Sequence, residues 1–146
     1  MKRGGWIKRK KPLPAAKYTQ RIVKNNRAKT KAAKKTGPNE DTVKVVLARS
    51  NGACERCLRR PPEQLHHRKP RGSGGSSDPA INYPSNLLAL CSQCHLEVEG
   101  DRTVSKEQGW LVRFEHNPAE TPVWIAGVGK VFLNDDGTMT PQESAA

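Results

Sequence analysis

The sequence predicts a small α+β domain stapled by bound metal and preceded by a flexible basic arm. Three observations lead there. Only 34% of the 146 residues are hydrophobic and 5% aromatic. So little apolar surface makes a thin core, and a chain this polar needs a staple. Two C-x-x-C pairs, Cys54 with Cys57 and Cys91 with Cys94, bracket a strand–loop–strand pattern that leads into a helix. Finally, the charge is segregated. Residues 1–37 hold 14 Lys or Arg and no Asp or Glu, residues 42–95 hold 8 basic and 3 acidic residues, and residues 96–146 hold 4 basic and 9 acidic.

Taken in order, residues 1–40 read as the arm. Gly4, Gly5, Pro12 and Pro14 discourage regular structure. A helix over 21–35 would crowd like charges on every face, so disorder until a polyanion binds is expected. Fourteen cations without an anion favour a salt-dependent attraction to nucleic acid, with Lys8, Arg9, Lys10 and Lys11 the densest run. A solubilising tail is the plainer alternative.

The central domain is expected over 41–103. Asp41 can cap a helix that runs to Ser50, with Val43, Val46 and Leu47 on one face, and Asn51-Gly52 ends it. The first cysteine hook follows. Residues 64–68 suit a short strand, and 69–85 are a Gly- and Ser-rich loop broken by Pro70, Pro79 and Pro84. Residues 86–90 suit a buried strand, and a helix beginning near Ser92 puts His95 in its first turn. Residues 104–146 read as an extension. It contains a helical piece over 104–108, a strand over 110–114, a hairpin pairing 123–126 with 130–133 across Gly127-Val128-Gly129, and a tail that frays from Thr138. Trp110, Trp124 and Phe132 read as core residues.

The longest apolar run, 87–91, is far too short to cross a bilayer, and no apolar segment follows the basic start. A reducing cytoplasm is therefore expected, in the host cell if the gene is phage-borne. There C-x-x-C pairs mean metal or redox chemistry more often than disulfides. A redox dithiol needs one such pair. Two pairs give the four thiolates of a closed structural zinc site, with Cys54, Cys57, Cys91 and Cys94 as ligands. Binding of that ion would then contribute directly to folding.

The histidines suggest a second metal with a different task. On a strand, His66 and His67 point to opposite faces, so one can bind metal while the other faces substrate. His95 adjoins the second hook and could converge on the same ion.

Here the chain resembles the HNH endonuclease family, in the subgroup with two zinc-binding cysteine pairs. The matching residues are Leu65-His66-His67-Arg68-Lys69-Pro70, Arg71-Gly72-Ser73-Gly74-Gly75, Asn86-Leu87 and Leu90-Cys91-Ser92-Gln93-Cys94-His95. Gly109-Trp110-Leu111-Val112 and Asn117-Pro118-Ala119-Glu120 are similar to segments of small phage HNH proteins. The resemblance implies a ββα-metal (His-Me finger) core around one catalytic divalent cation. It implies DNA as substrate and products with 5′-phosphate and 3′-hydroxyl ends. It gives His67 the role of general base, His66 and His95 those of metal ligands, and Asn86 that of ordering the loop and orienting the base. Glu99, four residues after His95, shares its helix face and could add a ligand, with a solvated side chain the plainer alternative. Many relatives carry aspartate where His66 stands. Imidazole softens the site, so Mn²⁺, Ni²⁺ or Co²⁺ should serve at least as well as Mg²⁺.

Arg68, Lys69 and Arg71 are expected to hold phosphates that flank the scissile bond. No small-molecule cofactor and no membrane partner are expected. Two other readings compete with cleavage. One is a zinc-stabilised nucleic-acid-binding protein without catalysis. The other is an accessory of a phage DNA-packaging motor, with terminase proteins as partners, a role that can coexist with cleavage.

Overall fold

The computed structural model describes residues 36–73 and 75–143. The basic arm, with Lys8, Arg9, Lys10 and Lys11, lies outside the described residues. None of the described helices is long and apolar enough to cross a membrane.

Helix α1 spans Glu40–Ser50. Its N-cap is Asn39 rather than Asp41. The Asn39 side chain accepts a 2.7 Å hydrogen bond from the Thr42 amide, which leaves Glu40 and Asp41 in the first turn, where they favour the helix dipole. Asn51, at φ 49°, closes the helix in the left-handed region.

Strands β1 (Gln64–His67) and β2 (Leu87–Leu90) pair antiparallel, with His66 opposite Leu88 and His67 opposite Leu87. β2 is buried throughout, because each of its faces is covered. Leu88 and Leu90 join Cys54, Val98, Trp110, Val123 and Leu133 in the main core, whereas Leu87 and Ala89 pack with Val46 of α1. Opposed residues share a face. His66 therefore belongs to the main-core side and His67 to the α1 side.

Helix α2 (Ser92–Gly100) follows β2 directly, and α3 (Arg102–Glu107) follows α2. A second antiparallel sheet is formed by β3 (Val123–Ile125), β4 (Gly129–Leu133) and β5 (Met139–Pro141). β5 corrects the expectation of a tail frayed from Thr138: Leu133 pairs with Met139, and Thr138 sits in a turn closed by Asn134 and Asp136. Residues 110–114 form no strand. Their amides go to tertiary partners instead, Leu111 to the Ser105 carbonyl and Val112 to the Arg68 carbonyl. Gly109 begins this stretch at φ 75°, and a Cβ there would lie 1.9 Å from the Pro122 carbonyl oxygen, so only glycine fits.

Two ion-pair devices hold the central unit together. Arg49 and Glu55 are both almost completely buried and bond in a bidentate manner at 2.7 and 3.0 Å. Arg49 also donates to the Pro84 and Leu87 carbonyls, while Glu55 accepts from the Ala89 amide. Every charge in this pair is thus answered, the condition under which a buried ion pair is tolerated. At the surface, Arg56 bonds Glu97 of α2 and lies 4.6 Å over the Trp110 ring.

Candidate metal centres and active site

The four cysteines converge. One turn places Cys54 and Cys57 before β1. The end of β2 and the start of α2 supply Cys91 and Cys94. The four sulfurs lie within 4.8 Å of one another, with Cys57 and Cys91 4.0 Å apart. A tetrahedral zinc–thiolate site has sulfurs about 3.8 Å apart, so the spacing suits the ion. Backbone hydrogen bonds from Cys91, Arg56 and Cys57 reach Cys54, and Arg56 donates to the Cys94 sulfur at 3.4 Å. Without a cation the thiols are ill matched. Burial pushes Cys94 up to about 12. Burial also opposes ionisation of Cys57, but hydrogen bonds from the Arg59 backbone and the neighbouring thiols outweigh it and bring that thiol to about 7. A divalent ion would resolve this by holding all four as thiolates.

A second donor group also draws on α2. One ligand atom each from His66, His95 and Glu99 falls within 4.8 Å of the others. His66 is buried, and its Nε2 lies 3.0 Å from the Trp110 carbonyl oxygen. A carbonyl only accepts, so Nε2 carries the proton and Nδ1 keeps its lone pair. Nδ1 is 3.6 Å from the Glu99 carboxylate. Burial, together with the nearby His95, lowers His66 to about 4 against the pull of the Trp110 bond, so the ring is neutral near pH 7. Two imidazole nitrogens, one carboxylate and an open side fit a divalent ion that exchanges ligands. Of the two readings of Glu99, added ligand or solvated side chain, the geometry favours the first. The Glu99 side chain is 45% exposed, yet it faces the histidine pair. The i, i+4 spacing from His95 was the available signal.

His67 occupies the opposite face of β1 and is half-buried. Its Nε2 lies 3.0 Å from Asn82 Oδ1. Asn82 is oriented in turn by its Nδ2, which donates to the Thr36 carbonyl at 3.2 Å. The oxygen of Asn82 therefore faces the imidazole, Nε2 is the protonated nitrogen, and Nδ1 is the free base. Burial lowers the His67 pKa, the Asn82 bond opposes that, and the Arg71 charge adds to it. Nothing in the sequence singled out Asn82; it lies in a loop turn, fifteen residues from its partner.

Asn86 does something else. Its Oδ1 accepts from the Lys69 amide at 2.7 Å, and its Nδ2 donates to the Ile81 and Lys69 carbonyls. Its own carbonyl accepts from the Arg68 amide. Asn86 thus ties both ends of the 69–85 loop, while the carboxamide that touches His67 is that of Asn82.

The three expected phosphate binders separate. Arg68 is a correction: its side chain is fully buried and cannot meet a phosphate. Its guanidinium donates to the carbonyls of Gly109, Ser85, Pro118 and Thr121 at 2.7–2.9 Å, which bolts three points of the C-terminal extension to the end of β1. Burial and the Arg49 charge depress it to about 9, which still leaves it cationic. Lys69 and Arg71, by contrast, line an open cleft.

Residues 54–100 match the family model described as HNH endonuclease. No curated protein and no solved structure matches the chain. The matched span contains β1, β2 and α2, all four cysteines, and the His66, His95 and Glu99 group. The two candidate ligand clusters and the family match thus coincide on one segment, residues 54–100, which is similar to HNH endonucleases.

Proposed function

We propose that this protein is a metal-dependent DNA endonuclease whose β1–β2–α2 unit is a ββα-metal core. One observation supports the reading: β1 presents His66, grouped with His95 and Glu99, and a separately oriented His67 from adjacent positions, on opposite faces.

His66, His95 and Glu99 would hold the catalytic ion. When bound, a divalent cation there polarises the phosphate and stabilises the leaving 3′ oxygen. His67 supplies the base. Asn82 holds the Nε2 proton, so Nδ1 takes the proton from the attacking water as it meets phosphorus. Asn86 sets where the loop leaves β1, and Lys69 and Arg71 attract the strand. The expected ends are 5′-phosphate and 3′-hydroxyl. With two imidazoles at the ion, Mn²⁺, Ni²⁺ or Co²⁺ should support cleavage at least as well as Mg²⁺. The cysteine cluster would hold zinc and keep the fold. The basic arm, residues 1–40, would add non-specific affinity for DNA, and residues 104–146 would act as an extension to the nuclease unit of 41–103. A role beside phage packaging proteins is compatible with this chemistry, and co-purification with a terminase would test it.

The decisive assay is relaxation of supercoiled plasmid by the zinc-loaded protein, with a second ion titrated in. His67→Ala should fold and bind DNA but cleave ~10²–10⁴-fold more slowly. Normal cleavage by that variant would remove His67 from the chemistry. No cleavage by the wild type with any of the four ions would favour the non-catalytic, zinc-stabilised nucleic-acid-binding reading.

A further inference from the structure

A cleft of about 830 Å³ starts two residues beyond His67. Lys69 and Arg71 line it from the loop after β1. Arg102, Lys106 and Arg113 line it from α3 and the segment that follows. This grouping is selective. Residues 96–146 are acidic as a whole, with 4 basic and 9 acidic residues, yet three of those four cations meet in this cleft. Only Asp78 and Glu115 oppose the five positive charges.

At this cleft stands Phe114, 81% exposed, the most exposed large hydrophobic side chain among the described residues. Its position is fixed from below. Val112 is buried, and its amide bonds the Arg68 carbonyl at 2.8 Å, which sets the turn that carries Phe114 against the end of β1. Lys69 Nζ lies 5.0 Å from the centre of the ring. The ring is thus steadied by a cation and otherwise open to water. A single exposed aromatic ring amid five cations is not an apolar patch for a protein or a membrane. It suits a ligand that brings phosphates and a flat π surface together. Bases in a duplex already stack on each other, whereas an unpaired base has a free face.

We propose that Phe114 is a stacking platform for an unpaired nucleobase, and that the cleft prefers single-stranded or frayed DNA to duplex DNA. This rests on the nuclease reading for its location but not for its readout, which is binding. Fluorescence anisotropy would be measured with a labelled oligonucleotide, single-stranded and annealed to its complement, using the full chain in a His67→Ala background. The N-terminal arm is the same in parent and variant, so the variant-to-parent affinity ratio on each ligand is the quantity to follow. Phe114→Ala should weaken single-strand binding about 5- to 100-fold and leave duplex binding unchanged. Phe114→Trp should restore it, with emission above the wild-type signal that is quenched on adding the single strand. Because Phe114 is exposed, the thermal melt of both variants should match that of the parent. Equal losses on both ligands, or no loss on either, would overturn the proposal. Failure of the plasmid assay would leave this selectivity in place, so the two ideas can fail separately.

Discussion

Helix α2 serves two ligand clusters that differ in nearly every physical respect. Through Cys91 and Cys94 it completes a four-sulfur group that is largely buried and bonded by backbone amides. Through His95 and Glu99 it completes a three-donor group that stays open on one side. The closed group leaves no position for substrate, so an ion there would only hold chain segments together. The open group leaves one, and its imidazole is fixed by the Trp110 carbonyl. Burial and a full donor set favour a staple, whereas an incomplete set on a rigid support favours exchange.

The largest expected effect lies on the closed side. Removing zinc, or Cys54→Ala, should unfold residues 36–143, because a structural zinc site contributes on the order of 10–16 kcal/mol. Loss of the far-UV circular dichroism signal and of the cooperative melt would show it. A metal-free protein that kept its melt would refute the staple.

Arg68 and its neighbour Lys69 give the next contrast. Arg68→Ala orphans four carbonyls and should cost at least about 3 kcal/mol in urea unfolding. Arg68→Lys should recover little, because an ammonium lacks the planar fork. Lys69→Ala should leave stability unchanged and weaken DNA binding at low salt.

On the open side the effects are smaller and spare the fold. Glu99→Ala should lower affinity for the second ion by at least about tenfold. Isothermal titration with Mn²⁺ measures this, and one zinc per chain should be retained. Equal Mn²⁺ affinity would show that Glu99 is merely nearby.

The smallest effect concerns pH. The His67 pKa is lowered, so its neutral, proton-accepting form persists below the ordinary 6.5. Cleavage should therefore fall only below that value. Arg71 contributes a like charge to this shift. Arg71→Ala should raise the pKa and move the acid limb back toward 6.5 in a pH–rate profile.

Much of the scaffold was legible because its signals are local. The hooks at 54–57 and 91–94, the turn at Asn51-Gly52 and the hairpin glycines each act over a few residues. The sequence misleads where a residue's role depends on distant partners. Residues 110–114 have the composition of a strand, but their amides are taken by Ser105 and Arg68. Residues 138–141 look like a tail, yet β4 offers them an edge.

By itself the sequence determined the chemistry available: four thiols in two hooks, adjacent histidines on a strand, His95 beside a hook, and cations concentrated outside the acidic C-terminal part. Only the tertiary structure decided where those groups sit and what surrounds them. It turned Arg68 inward, because four carbonyls from Ser85 and the C-terminal extension converge where its guanidinium ends. It set Asn82 against His67 and left Asn86 to hold the loop. It brought Glu99 to the histidine pair and Phe114 to the cationic cleft. These are contacts between segments far apart in the chain, and spacing along a sequence constrains a pair only while the backbone between them is regular.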